Sequence, residues 1–425
     1  MNERETVMDT ATDCTPTLDG LKSYEDALAL LLAHARPPAA ADGGCERLAL
    51  RDCLGRVLAQ ALVSVIDVPG WDNSSMDGYA VRCADVPRAG TRLPVTQRIP
   101  AGSRAGPLQP GSAARIFTGA PLPDGADAVV MQEQCEVDGD TLTVGIRPET
   151  GANVNRAGQD IRRGAEVIAA GTRLLPQHIG LAASVGVAEL DVYRPLRVAV
   201  FSTGDELVAP GQALAPGKIY NSNLFTATGL LRNLGCEVVD LGIVGDNFAA
   251  TCDALVDAAA QADLILASGG VSVGEEDHVK PAVEHLGTLE MWKIAIRPGK
   301  PVAFGHVQGT PFLGTPGNPV SLFVTFLLFA RPFILRCQGL SDVHPRPIRV
   351  ELAADWPRAD TRREFARARL DPGADGVLRV QLYPSRSSAV LSSVTWADGL
   401  AIMPESTPLK AGEQVDFLSF SELLQ

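Results

Sequence analysis

Between Leu264 and Ser321 the chain reads LILASGGVSVGEEDHVK, then MWKIAIRPGKPVAFG, then PFLGTPGNPVS. An apolar run of strand length flows into two glycines and a loop of small residues, with carboxylates directly behind. That order is what a buried parallel strand needs to deliver backbone N–H groups and acids to a site at its carboxyl end. Lys293, Arg297 and Lys300 then bring positive charge, and Pro316 and Pro319 stiffen the TPGNP turn ahead of an apolar helix. A phosphate-type loop, acids and cations in sequence point to an anionic, phosphorylated ligand.

With 425 residues the chain exceeds one ordinary core, so several domains are expected. The formal charge is 37 − 50 = −13, which argues against nucleic acid as a partner and requires cations for an anionic ligand to be concentrated locally. The eight cysteines are scattered without a C-x-x-C pair, so neither a zinc site nor a disulfide framework is indicated. Reduced thiols and a polar N-terminus without a signal-type apolar stretch suit a cytoplasmic protein. The segment VSLFVTFLLFA from Val320 meets Arg331 and Pro332 too soon to span a bilayer; it reads as a buried helix, and no membrane is expected.

Taken in order, residues 1–20 lack periodicity and are expected to fray. Ser23 and Asp26 predict a helix start, and VLAQALVSVIDVPGW reads as a strand. Short β runs between Gly and Pro then predict a small β domain at 63–157, inserted between two parts of a helical base, 21–62 and 158–195. From Leu196 strands alternate with helices, which predicts a three-layer parallel α/β domain at 196–343. Alternating runs at 344–425 predict a C-terminal β domain. The expected fold class is thus multidomain α/β plus β.

Ligands of open parallel sheets bind beyond the strands' carboxyl ends. The candidates there are Thr203, Gly204 and Glu206 in STGDE, Asp246 after the second strand, and Gly269, Gly270, Ser272 and Asp277 after the third. Asp246 and Asp277 could bind Mg2+, a hard cation that takes oxygen ligands. Singly, each acid is better read as an N-cap or solvated loop residue; their shared position at strand ends reverses that reading. Gly269 and Gly270 permit close backbone approach to phosphate, or simply make a turn. In WKIAIRPGK, period two places Lys293 and Arg297 on one strand face, opposite Ile294 and Ile296. The six histidines show no metal-ligand spacing, and His278 reads as a helix-start residue. Asp77 in DNSSMDGYAVR and Thr118 in RIFTGAPLP read, by composition alone, as turn residues.

Seven strings in this order, VPGWDNSSMDGYAVR, RIFTGAPLPDGADAVVMQE, GANVNRAGQDI, FSTGDELVAPG, SGGVSVGEEDH, WKIAIRPGKP and TPGNPVS, closely resemble the molybdopterin molybdenumtransferase family (MoeA and the E domain of gephyrin). The resemblance implies an elongated cytoplasmic homodimer of four-domain chains, the third domain being MogA-like and molybdopterin-binding. It implies Mg2+ and a reaction of adenylylated molybdopterin with molybdate that releases AMP. It assigns Glu206, Asp246, Asp277, Lys293 and Arg297 to the reacting centre, with Asp246 and Asp277 as metal ligands. Thr203, Gly204, Gly269, Gly270, Ser272, Lys300, Pro316 and Pro319 would bind substrate. Asp77, Thr118 and Asp160 match residues that face the partner subunit's α/β domain, so the site would be shared between subunits. Arg367 in REFARARL and Ser388 in SRSSAVLSS match a molybdate-contacting pair. The adenylyltransferase of the preceding step and acceptor molybdoenzymes or chaperones are the implied protein partners. Arg297 stands where the family usually shows Lys, Asn155 where Arg is common, Gln159 where Glu is common, His278 where Tyr is frequent and Thr315 where Leu is. Two alternatives are a molybdopterin adenylyltransferase, which shares the central domain, and a non-catalytic dimeric scaffold.

Overall fold

The computed structural model describes residues 20–38, 43–270, 278–357 and 360–424. Ser272 and Asp277 lie outside the described residues. The chain divides into two compact units, Glu46–Val192 and Met1–Cys45 with Tyr193–Gln425.

The larger unit is built on a six-stranded sheet. Its elements are α1 (Tyr24–His34), β1 (Arg197–Thr203), α2 (Ser222–Asn233), β2 (Glu237–Val244), α3 (Phe248–Gln261), β3 (Leu264–Ser268), α4 (Val279–Leu286), β4 (Gly287–Lys293), β5 (Ile296–Arg297), β6 (Pro301–Val307) and β7 (Thr310–Thr315). The strand order is β2-β1-β3-β7-β6-β4. β2, β1, β3 and β7 are parallel, while β6 runs antiparallel to both its neighbours. β4 therefore runs with the parallel set, and its terminal Lys293 falls on the same sheet edge as Thr203, Val244, Ser268 and Thr315. The start of β6 at Pro301, paired with Lys293, lies there too.

Alternate strand residues enter two cores. Val198, Val200, Leu264 and Leu266 pack with α2 and the segment after β7, and Ala199, Phe201, Ile265 and Ala267 pack with α3 and α4. Burial on both faces explains why these strands read as continuous apolar runs. The helices start where side chains can cap them: Asn221 Oδ1 accepts the Leu224 N–H at 3.1 Å and Asn247 Oδ1 the Ala250 N–H at 2.9 Å. The apolar segment forms α5 (Pro319–Thr325), a π-helical turn at Phe326–Ala330 and α6 (Arg331–Cys337), buried along its length in the first core.

Two expectations change. The basic stretch is not one strand. β4 ends at Lys293 and β5 joins a different sheet, because Lys22 and Lys300 take the backbone bonds between them: Lys22 N–H donates to Lys293 O at 2.9 Å, Ala295 N–H to Lys22 O at 2.9 Å, and Ile294 N–H to Lys300 O at 2.8 Å. Side-chain alternation survives the break, with Ile294 and Ile296 buried, Lys293 exposed and Arg297 half-buried. The two expected base helices also serve separate cores. α1, capped by Ser23 Oγ accepting from Asp26 N–H at 3.0 Å, buries Ala27, Leu28 and Leu31 in the larger unit. Its Tyr24 ring meets Phe329 and Phe365 edge-on, both at 5.5 Å. The Pro176–Ser184 helix belongs to the other unit, against Leu50–Asp52 and Glu166–Ile168.

The C-terminal strands are β8 (Ile348–Leu352), β9 (Arg363–Pro372), β10 (Leu378–Leu382), β11 (Gly399–Met403) and β12 (Gln414–Ser419). Pairing runs β5-β9-β10-β8-β12-β11, and β9 also pairs with β11, so the last five strands close on themselves around Val350, Ala366, Val380, Ala401 and Phe417. β5 is the added strand: Arg297 sits opposite Glu364.

The smaller unit holds a six-stranded sheet whose central strands are Gly78–Val81, Ala113–Ile116 and Thr91–Ile99. Glycine at 78 is a packing requirement, since a Cβ there would stand 2.0 Å from the Val130 carbonyl oxygen. The VLAQALVSVIDVPGW stretch, expected as a strand, contributes only Leu62–Val63 to a ladder, paired with Glu166–Ile168.

Candidate functional site

The carboxyl edge of the central sheet gathers most of the candidates. Gly269 and Gly270 both have positive φ, +89° and +67°. A Cβ on Gly269 would meet the Thr203 carbonyl oxygen at 2.9 Å, and one on Gly270 the Val279 Cγ2 at 2.3 Å. Gly269 and Gly270 are thus packed tightly against Thr203 and Val279, a fit that leaves no room for a side chain at either position. Gly269 N–H donates to Thr315 O at 3.1 Å, which ties the glycine pair to the strand end that leads into the TPGNP turn.

The acids sit on adjacent strand ends. Asp246, half-buried, follows β2 one residue beyond Gly245. Glu206 lies past β1, with its carboxylate folded over Gly204 so closely that a Cβ there would be 2.6 Å from Oε2. Among the described residues no three His, Cys, Asp or Glu side chains cluster to hold a metal. Asp246 still fits a hard cation that takes one or two protein carboxylates and completes its shell with phosphate oxygens and water.

The cations lie across the edge. Lys293 is exposed, Lys300 half-buried, and the Arg297 guanidinium donates Nη1 to Asp360 Oδ2 at 3.1 Å. Burial alone would raise the Asp360 carboxyl, but Arg362 (side chain and N–H) and Arg297 outweigh it and hold it down at about 2. Arg367, expected near an oxyanion, is buried at 2% exposure in β9. It donates Nη2 to the carbonyls of Ser385 (2.7 Å) and Ser387 (3.2 Å) and Nε to Ser393 Oγ (3.1 Å); desolvation lowers its pKa. Ser388 is half-buried, and its carbonyl accepts the Val320 N–H at 3.0 Å, bringing the 385–388 turn against the start of α5 beside Pro319 and Pro316.

Asp77, Thr118 and Asp160 belong to the smaller unit. Asp77 Oδ1 accepts both the Thr118 N–H at 2.8 Å and the Thr118 hydroxyl at 2.9 Å, and these bonds, the backbone one first, lower its carboxyl pKa. Asp160 is exposed, with its N–H on the Val68 carbonyl at 3.0 Å. Asn155 donates to Asn73 Oδ1 at 3.1 Å, and Gln159 Oε1 accepts the Arg156 N–H at 2.9 Å.

Other residues at this edge carry no motif that sequence reasoning could have read. Asn223 Nδ2 bridges Ser268 Oγ (3.0 Å) and Gly317 O (2.7 Å), joining the third strand end to the proline turn. Asn221 Nδ2, at 1% exposure, has no hydrogen-bond partner among the described residues. Asp360, Glu364 and Arg386 form the charged surround of Arg297. The only sequence signal for them is charge density, which solvated surfaces share.

Comparison with known proteins covers nearly the whole chain. Residues 22–186 match the MoeA N-terminal region (domain I and II), 199–336 a probable molybdopterin binding domain, and 349–420 the MoeA C-terminal region (domain IV). The chain is 41% identical to a molybdopterin molybdenumtransferase of Haemophilus influenzae, over 89% of this chain and 95% of that one. It is 40% identical to molybdopterin molybdenumtransferase 2 of Mycobacterium tuberculosis, over 86% and 93%. Among solved structures, molybdopterin biosynthesis MoeA proteins of Pyrococcus horikoshii superpose with TM-scores of 0.77 (31% identity, 94% of this chain and 99% of that one) and 0.80 (28% identity, 94% and 100%).

Proposed function

The chain belongs to the MoeA family of molybdopterin molybdenumtransferases, enzymes of molybdenum cofactor biosynthesis, and on that premise we propose a Mg2+-dependent reaction in which molybdate and adenylylated molybdopterin are the substrates and AMP is released. The pyrophosphate link is cleaved as molybdenum joins the dithiolene sulfurs. The observation that supports this reading is the placement along the carboxyl edge of the central sheet of the Gly269–Gly270 pair, Glu206, Asp246 and Lys293, with Arg297 following in the adjoining strand β5.

Each group has a role that its chemistry suits. The glycine loop and Ser272 donate to phosphate oxygens, and Thr203, Gly204, Lys300, Pro316 and Pro319 wall the nucleotide and pterin. Lys293 and Arg297 neutralise the tetrahedral oxyanion, with Arg297 offering a planar donor fork. Asp246 and Asp277 would hold Mg2+, which when bound offsets phosphate charge and stabilises the departing AMP. Ser388 faces the oxyanion, and Arg367 keeps the 385–388 turn in place.

The same reading assigns 21–62 with 158–195 to a base domain from which the Tyr24–His34 helix departs into the larger unit's core, 63–157 to an inserted β domain, 196–343 to a three-layer molybdopterin-binding domain and 344–425 to a C-terminal β domain. It makes the working species a cytoplasmic homodimer, with Asp77, Thr118 and Asp160 completing the site of the partner subunit.

The test is AMP release from adenylylated molybdopterin and Mg2+, with and without molybdate. Molybdate-dependent release with molybdenum retained on the pterin is expected. Formation of the adenylylated species from molybdopterin and ATP would place the protein one step earlier, and no turnover by an intact dimer would leave a scaffold.

A further inference from the structure

We propose that Asp360 is a positioning residue for the oxyanion pocket, fixing the Arg297 guanidinium in the orientation that receives molybdate; the inference rests on the reading of Arg297 given above. Asp360 is itself rigidly held. Its Oδ1 accepts the Arg362 N–H at 3.0 Å and Arg362 Nε at 3.2 Å, and its Oδ2 accepts Arg362 Nη2 at 3.3 Å. On the other side Oδ2 takes Arg297 Nη1 at 3.1 Å, with Arg386 Nη2 at 3.5 Å. Arg386 is tied down independently: Glu364, 2% exposed, accepts its Nε at 2.9 Å, and its guanidinium lies over the Trp356 ring at 5.0 Å. Asp360 is therefore a fixed platform, and Arg297 is the arm it steadies.

The backbone at Arg297 is set by its pairing with Glu364 in β9, but three methylenes separate that backbone from the guanidinium. Without a partner the side chain samples many rotamers, and ordering it would have to be paid from ligand binding. Asp360 removes that cost in advance while engaging one Nη, so the rest of the donor fork stays available.

A carboxylate near an oxyanion also repels it. Here Asp360 is surrounded by the guanidiniums of Arg297, Arg362 and Arg386, with Arg367 close enough to feel Arg297. Four arginines against Asp360 and Glu364 leave the cluster positive, and the negative charge of Asp360 is largely compensated where it stands. Loss of orientation outweighs relief of repulsion.

The test measures molybdate affinity by calorimetry on the full chain, together with the molybdate dependence of AMP release, for wild type, Asp360→Asn, Arg297→Lys and the double variant. Asp360→Asn should weaken molybdate binding and raise half-saturating molybdate about tenfold, with kcat within about twofold, because a ground-state contact is what is lost. In the Arg297→Lys background the same change should cost less than about twofold, since the planar fork that Asp360 orients is gone. Unchanged or tighter molybdate binding by Asp360→Asn overturns the proposal. An equal cost in both backgrounds also overturns it, by showing that Asp360 acts through Arg362 or Arg386 alone. A wild-type chain that neither binds nor requires molybdate overturns the reading of Arg297 instead, and the proposal falls with it. If Asp360→Asn does not fold, Asp360→Glu retains the charge and displaces it by one methylene; it should again raise half-saturating molybdate only when Arg297 is present, and a background-independent effect sinks the idea.

Discussion

Arg367 donates Nη2 to the carbonyl oxygen of Ser385 at 2.7 Å, linking β9 to the turn that ends at Ser388. With the further bonds to Ser387 O and Ser393 Oγ, this makes Arg367 a clamp on the turn. On the proposed assignment its guanidinium would act on the oxyanion through the backbone it holds, and the Ser388 carbonyl accepts the Val320 N–H at the head of α5.

Replacing Arg367 by Met keeps the volume and removes every donor. Ser393 Oγ and two carbonyls would be left without their partner, and hydrogen bonds from a charged group contribute about 1.5–3 kcal/mol each way. Urea unfolding of Arg367→Met should show a loss of about 2–4 kcal/mol, with proteolysis appearing first in 385–388. Stability equal to wild type, with only molybdate affinity lost, would mean that the side chain serves as a ligand and not as a clamp.

Gly270 offers a second test, because its backbone and its surroundings both forbid a side chain. Alanine there would hold φ at +67° and press Cβ to 2.3 Å from Val279 Cγ2. A positive φ and an overpacked contact each cost about 1–3 kcal/mol, so Gly270→Ala should lose about 2–4 kcal/mol by urea unfolding and lower AMP release at least about tenfold. Gly309 is the control: its φ is +89° but nothing lies within 4 Å, so Gly309→Ala should lose only about 1 kcal/mol and retain activity.

The glycine loop and the strand ends were legible because their requirements are local. An apolar run buried on both faces, followed by residues that must adopt positive φ, leaves its mark in consecutive letters. His278 at the start of α4 was legible for the same reason. The break between Lys293 and Arg297 was not, because it depends on Lys22, which supplies hydrogen bonds from far along the chain. Asp360 lies 63 residues from Arg297, and Asn223 lies 94 from Gly317. Polar partners at such separations leave no periodicity. α1 was legible as a helix, but not which core would receive its short stripe.

Asp246 should act on catalysis and not on folding, since it follows β2 in a half-buried loop outside the apolar cores. Asp246→Ala should lower molybdate-dependent AMP release by at least about a hundredfold at a fixed Mg2+ concentration, the scale of losing a catalytic electrostatic group. The Mg2+ concentration at half-maximal rate should rise, with the thermal midpoint within a few degrees of wild type. Normal turnover at unchanged Mg2+ dependence would remove Asp246 from the proposed metal site.

Acid stability gives a reading of the arginine cluster that needs no substrate. The Asp360 carboxyl is held at about 2 in the folded chain, against about 3.9 for an unperturbed aspartate. Because the folded value is the lower one, the stabilisation is fully present above about pH 4 and is lost as pH falls through about 2. A shift of this size corresponds to on the order of 2 kcal/mol. Asp263 behaves in the same sense: Arg194, at 2.6 and 2.7 Å, and the Arg197 N–H outweigh the upward pull of burial and lower its carboxyl too. Urea unfolding of wild type and Asp360→Asn across pH 2 to 7 should show a gap that is constant above about pH 4 and closes toward pH 2. The acid limb of the variant should be shallower, and the limb that remains should flatten further when Asp263→Asn is added. A gap that persists undiminished at pH 2 would mean that Asp360 stabilises through packing or as a neutral acceptor, and that its charge is not what gathers the three arginines.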